Sequence, residues 1–191
     1  MKTLTRESIS ETERTVNRLH HQVHTTFANR DKSEKERKAW EEATSVWHSS
    51  DCPTDKLWRE QFRADLRASV PYAIEEAILF LEVDPWYFRS GYLKQRLIRG
   101  LKSATLKNRD RIRLWNVCWN AAAGKNRQEF RSYCSLAAIV GDADLIRLLE
   151  EIPEHRNIAA DGKFRYMAAF LRENTKKANK PEMATPRKPS D

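Results

Sequence analysis

Along most of the chain, apolar residues recur at intervals of three, four and seven, the spacing that gathers side chains on one face of an α-helix. Residues 8–29 place Ile9, Val16, Leu19, Val23 and Phe27 on one narrow stripe. A polar break at 30–32 leads to Ser33, whose hydroxyl can cap a second helix with Trp40, Ala43 and Trp47 on its inward face. Together they predict an antiparallel hairpin that either packs on the remainder or serves as a docking arm for a protein partner. The run His48-Ser49-Ser50-Asp51-Cys52-Pro53 is loop-forming. After it, Thr54 or Asp55 can cap a third helix reaching 69, and Pro71 suits the first turn of a fourth that ends near Val83. Asp84-Pro85-Trp86 repeats that start signal for a fifth helix running to 103. A sixth is predicted at 107–123 with Gly124 as its stop, a seventh at 126–140 with Gly141 as its stop, an eighth at 142–151 and a last at 163–174. On the fifth, Leu93, Leu97 and Leu101 should face the core; on the sixth, Ile112, Trp115 and Trp119 form the expected buried stripe.

With only five glycines among 191 residues, and four of the seven prolines at Pro153 or beyond, few strand-joining turns are available. The fold class is therefore all-α, built of antiparallel helical hairpins. The expected segments are an N-terminal hairpin at 1–50, a helical-repeat region at 54–174 and a basic tail at 175–191 with almost nothing to bury, which should be disordered.

A weak internal repeat lies within this pattern. Phe62-Arg63, Phe88-Arg89, Phe130-Arg131 and Phe164-Arg165 are separated by 26, 42 and 34 residues, and the mean interval is the size of one helical hairpin. In helix pairing and unit length, residues 54–174 resemble HEAT-like and armadillo-like repeats. That resemblance implies a short α-solenoid in which each phenylalanine plugs a seam and each arginine snorkels outward; the alternative is an irregular helical bundle.

Charge changes the picture. The formal net charge is +8, yet residues 89–131 hold twelve of the 35 basic side chains against only Asp110 and Glu129. Self-repulsion at that density favours an anionic partner. If the fifth and sixth helices lie side by side, Arg89, Arg96, Arg99 and Lys102 merge with Arg109, Arg113, Asn116 and Asn120 into one patch. Arginine suits bidentate phosphate contacts, and asparagine adds hydrogen bonds to bases or backbone. Trp86, Tyr87, Phe88 and Tyr92 cluster at the head of the fifth helix, where burial in the core is the expected fate.

Other constellations point to no reaction. His20 and His24 share a helix face, but no acidic or cysteine ligand completes a metal set nearby. His48, Asp51 and Cys52 sit on one loop with nothing to orient them as a triad, and the widely spaced Cys52, Cys118 and Cys134 read as buried or incidental thiols. Of the acidic pairs Glu41-Glu42, Glu75-Glu76 and Glu150-Glu151, the second lies beside an apolar run and should have one partly buried member. No Gly-rich phosphate loop or nucleophile elbow occurs, and no apolar run approaches the roughly 18 residues of a membrane span. A cytoplasmic, non-enzymatic binding protein without cofactor or metal is expected. Its partner would be nucleic acid, held through the basic patch at 89–131; the alternative is a protein-interaction scaffold or subunit of a larger complex whose partner offers an acidic surface.

Overall fold

A computed structural model describes residues 3–125, 127–141 and 158–178, and among these the chain is helical with no strand. The elements are α1 (Arg6–Phe27), α2 (Glu34–Ser49), a 3-10 turn η1 (Pro53–Trp58), α3 (Glu60–Arg67), α4 (Pro71–Val83), α5 (Ser90–Leu101), α6 (Asn108–Ala123), α7 (Phe130–Val140) and α8 (Ile158–Ala178). The helix expected at 142–151 lies outside the described residues, as do Glu150, Glu151 and the part of the tail from 179 onward.

The centre is α4, which is apolar on nearly every side: Ala73, Ile74, Ala77, Ile78, Phe80 and Leu81 are all buried. Around it pack α1, α3, α5 and α6, while α7 packs against α5, α6 and α8. Pro71 opens α4 as its first-turn residue, as expected. At α1 the start is fixed by a reciprocal box, in which the Thr5 hydroxyl accepts the Ser8 N–H and the Ser8 hydroxyl accepts the Thr5 N–H.

The connection at 28–33 returns α2 along α1, and the hairpin they form is joined to the body through α1. Leu4 and Ile9 are part of the same buried cluster as Leu57, Phe80 and Leu97. The Leu4 N–H donates to Glu76 Oε1 at 3.0 Å, and Lys56 Nζ donates to the same oxygen at 2.5 Å. Glu76 is the buried member of the Glu75-Glu76 pair.

Four boundaries differ from the periodicity; one is α8, which runs Ile158–Ala178 where 163–174 is expected and so takes in residues 175–178 of the tail expected to be disordered. The predicted third helix is split: η1 turns Lys56 and Leu57 inward together, and extended Arg59 separates it from α3. The fifth helix begins at Ser90 and not at Pro85, because α1 grips the intervening backbone: Asn17 Nδ2 donates to the Trp86 carbonyl at 2.8 Å and Glu13 accepts the Trp86 N–H at 3.0 Å. Left-handed Asp84 (φ 52°) and Arg89 (φ 67°) bracket that loop. The seventh helix begins at Phe130, four residues later than the spacing suggests.

On α5, Leu93, Leu97 and Leu101 face the core as expected. On α6 the inward stripe is Leu114, Val117, Cys118 and Ala122; Trp115 and Trp119 stack with ring centroids 5.6 Å apart on its flank, and Ile112 is exposed. The indoles reach α8, where Phe164 meets Trp119 at 5.0 Å. The aromatic cluster at the head of α5 is also corrected. Only Tyr87 is buried, whereas Trp86, Phe88 and Tyr92 are at least half exposed, since the clamp on Trp86 turns this loop outward.

The four Phe-Arg pairs do not occupy equivalent places. Phe62 and Phe164 are buried within α3 and α8, Phe130 is the half-buried first residue of α7, and Phe88 lies exposed in a loop against His20 and Trp47.

A buried charge cluster closes the corner between α4 and α5. Lys94 is wholly buried with its ammonium 2.5 Å from Asp84 Oδ1, which Arg127 Nη1 also approaches at 2.5 Å. Glu129, buried as well, lies 3.7 Å from the same ammonium. Gly91 leaves room for it: a Cβ there would stand 3.1 Å from Glu129 Oε2.

Candidate functional site

The basic residues of the middle of the chain do not form one patch. α5 packs on α3, α4 and α7, whereas α6 packs on α4, α7 and α8, so α4 and α7 hold the two basic helices apart. The eight residues expected to converge separate into different surroundings.

Arg96 and Arg99 line a groove of about 280 Å³ between α3 and α5, where Arg63, Arg67, Tyr92 and Gly100 join them. Its floor depends on Gly100, at which a Cβ would come within 2.4 Å of Leu66 Cδ2; the bare glycine lets α3 and α5 close together. At one end Glu60 holds Arg63 at 2.5 Å and Arg96 at 3.6 Å. Arg96 Nε is enclosed without a hydrogen-bond partner. Arg67 and Arg99 are exposed, and among the described residues neither has an ion pair. Tyr92 presents its ring to solvent, 64% exposed. The groove thus sets four guanidinium groups against one carboxylate, a balance that attracts and orders phosphate oxygens.

The other α5 bases leave this face. Arg89 places its guanidinium 5.4 Å from the Trp58 ring centroid, and Lys102 donates to Ser135 Oγ on α7.

On α6 the outcome is opposite. Arg113 donates to Glu82 through Nε and Nη2, both at 2.8 Å, and to Glu75 through Nη1 at 2.7 Å. The Glu82 hydrogen bonds raise the pKa of Arg113 further, and Arg113 in turn holds the Glu82 carboxyl below its usual range. Only 17% of the Arg113 side chain is exposed, so it has little left to offer a ligand. Arg109 is largely exposed, 3.8 Å from Glu75. Asn116 and Asn120 are exposed but border a different cavity, between α4, α6 and α7.

The residues that sequence reasoning missed are Arg63 and Arg67. Their spacing of four sets them on one face of α3, but they fall in the half of the chain where acids outnumber bases, and segment-wise charge conceals them.

The remaining constellations carry little chemistry. The His20 and His24 rings touch, with Nε2 atoms 3.2 Å apart, and His20 stacks on Phe88 at 4.9 Å. Burial, and then His24, lower the pKa of His20. Among the described residues no group of three metal-ligating side chains assembles. Asp55, and not His48 or Asp51, accepts the Cys52 N–H, and burial pushes the Cys52 thiol up, away from the reactive thiolate. Cys118 and Cys134 are buried thiols whose pKa burial also raises, Cys134 to about 12. No helix among the described residues is long and apolar enough to cross a membrane.

Comparison of the chain with family models, with curated proteins and with solved structures returns no match in any of the three.

Proposed function

We propose that the protein is a non-catalytic helical scaffold that binds single-stranded nucleic acid along the α3–α5 groove. The observation that carries this reading is the pair Arg67 and Arg99, exposed and without an ion pair among the described residues, in a groove whose one carboxylate is already engaged by Arg63 and Arg96. Phosphates would bridge the two free guanidinium groups, and Tyr92 would offer a base a stacking surface, worth about 1–3 kcal/mol per base. Recognition would run through backbone charge and stacking without a sequence code.

The architecture supporting the groove is an irregular bundle of helical hairpins. Several sequence neighbours pack together, α1 on α2, α4 on α5 and α6 on α7, as in a short HEAT-like α-solenoid, but the separation of α5 from α6 and the unequal settings of the four Phe-Arg pairs favour the bundle.

Fluorescence anisotropy of a labelled oligonucleotide, measured across a salt series, tests the proposal. For single strands the logarithm of the binding constant falls with the logarithm of salt by about 0.7 per neutralised phosphate, so removing both arginines should flatten the slope by about 1.4. In Arg67→Glu/Arg99→Glu, retention should be lost. Unchanged affinity and slope in that variant would reject the proposal.

A protein partner is favoured at a separate place. Phe27 and Val46 are 47% and 44% exposed on the hairpin, an apolar surface suited to protein contact. Co-purification of a protein that persists after nuclease treatment and is lost in Phe27→Ser would support this second reading.

A further inference from the structure

The cavity between α4, α6 and α7 measures about 310 Å³, at the lower end of the roughly 300–1,000 Å³ that small-molecule sites occupy. It shares no lining residue with the α3–α5 groove. Two features of its wall specify a ligand.

The first is charge. Glu82 and Asp84 both border the cavity, but their charge is already engaged. Glu82 is bound by Arg113 through two hydrogen bonds and approached by Arg6 at 3.3 Å; Asp84 is shared by Lys94 and Arg127. Two further cations at the α6–α7 connection have no carboxylate within ion-pair distance among the described residues. Lys125 is exposed on the rim. Lys163 of α8 is buried, donates to the Gly124 carbonyl on the cavity wall, and lies 5.8 Å from the Phe130 ring centroid. Burial, and then the Arg127 charge, lower the pKa of Lys163. Asp84 balances Arg127 at 2.5 Å, so the cation left to an anion at this rim is the exposed Lys125, with Arg127 and Lys163 adding to the positive potential behind it.

The second is the carboxamide pair on α6. Asn116 and Asn120 lie one helical turn apart on α6, both exposed and both bordering the cavity. Neither side chain has a hydrogen-bond partner among the described residues. Each carboxamide offers donors and an acceptor, the combination that matches the edge of a nucleobase. Phe130 and Tyr133 add flat apolar surface, half-buried and buried respectively. A bare phosphate would leave the carboxamide acceptors and the rings unused, and an apolar ligand would waste the cations.

We propose that this cavity binds a mononucleotide, with the phosphate at Lys125, beside the Asp84-paired Arg127, and the base against Asn116, Asn120 and the aromatic wall. The chemistry recognised is one nucleobase carrying one phosphate, supplied either as a free nucleotide or as the 5′-phosphorylated end of a strand.

Isothermal titration calorimetry at fixed ionic strength, with the full chain, tests it. The probes are AMP, GMP, CMP and UMP, set against ribose 5-phosphate, inorganic phosphate and a 5′-phosphorylated dinucleotide. At least one mononucleotide should bind saturably, with ribose 5-phosphate about tenfold weaker or worse, the equivalent of one lost base contact. Asn116→Ala/Asn120→Ala should erase that tenfold preference and leave ribose 5-phosphate affinity unchanged; both positions are exposed, and circular dichroism checks that the helix persists. Lys125→Glu should weaken mononucleotide and ribose 5-phosphate alike. Tighter binding of the mononucleotide than of the dinucleotide assigns the free nucleotide as the source, and the reverse assigns the strand end. Arg67→Glu/Arg99→Glu should leave mononucleotide affinity within about twofold, since its residues lie in the other groove, so this inference and the proposed function stand or fall separately. No saturable binding of any mononucleotide, equal affinity for ribose 5-phosphate, or indifference to the double asparagine variant would each overturn the inference.

Discussion

Helices α5 and α6 carry arginine at similar density, and the structure puts those arginines to opposite uses. Of the helices packed on α6, α4 turns Glu75 and Glu82 towards Arg113, and both carboxylates accept its hydrogen bonds. Against α5 lies α3, which brings Arg63 and Arg67 and only Glu60. Arg113 becomes a structural tie, whereas Arg67 and Arg99 stay exposed and without an ion pair among the described residues. What decides between these fates is the side chain that the neighbouring element presents, so a local excess of charge says little until the packing partner is known.

That contrast can be broken most directly by truncating one arginine of each kind. Arg113→Met takes the hydrogen-bonded partner from two carboxylates and leaves them only the looser Arg6 and Arg109, and should lower unfolding free energy by about 2 kcal/mol, whereas Arg99→Met should stay within about 0.5 kcal/mol. Urea denaturation of both variants measures the difference, and equal losses would erase it. A smaller effect is expected from the packing beneath the groove. Gly100→Ala gains about 1 kcal/mol of helix propensity but forces a methyl into Leu66, an overpacking cost of about 1–3 kcal/mol, so the net result should be destabilising. Gly162→Ala on α8, with nothing within 4 Å of the added carbon, should be stabilising, and the two thermal midpoints should move in opposite directions. The smallest effect is on the acid limb. Glu82 has its folded pKa held below the unfolded value of about 4.3, so the stability it contributes is complete above that value and is lost as pH falls through the lower, folded pKa. Partial exposure of Glu82 keeps this contribution under about 1 kcal/mol. Urea midpoints measured between pH 5 and 3 should fall less steeply in Glu82→Gln than in the unaltered protein.

Much of the helical pattern was legible. The Leu93, Leu97 and Leu101 stripe and the start of α4 at Pro71 follow from local rules of periodicity and first-turn preference, and α6 and α7 end at Gly124 and Gly141 as expected, although with φ of −81° and −77° neither glycine takes the left-handed conformation. Features set by distant residues were not legible. The partners of Arg113 lie 31 and 38 positions upstream, and the backbone of Trp86 is held by residues 69 and 73 positions away. Those remote bonds shorten the fifth helix and expose Trp86 and Phe88, against the usual fate of large aromatics. Ile112 failed for a subtler reason: both it and Leu114 fit a helical stripe, and only the rotation of α6 on α4 selects Leu114.

The bond from the Leu4 amide to Glu76 spans 72 positions and imposes an order on biosynthesis. On the ribosome, α1 and α2 are complete before α4 has emerged, so the Ile9 face of the nascent hairpin waits uncovered for its seat. The hairpin is therefore made before its seat and can lock only once α4 has emerged, and a pause in elongation before α4 would prolong the interval in which a chaperone or a second nascent chain can reach it.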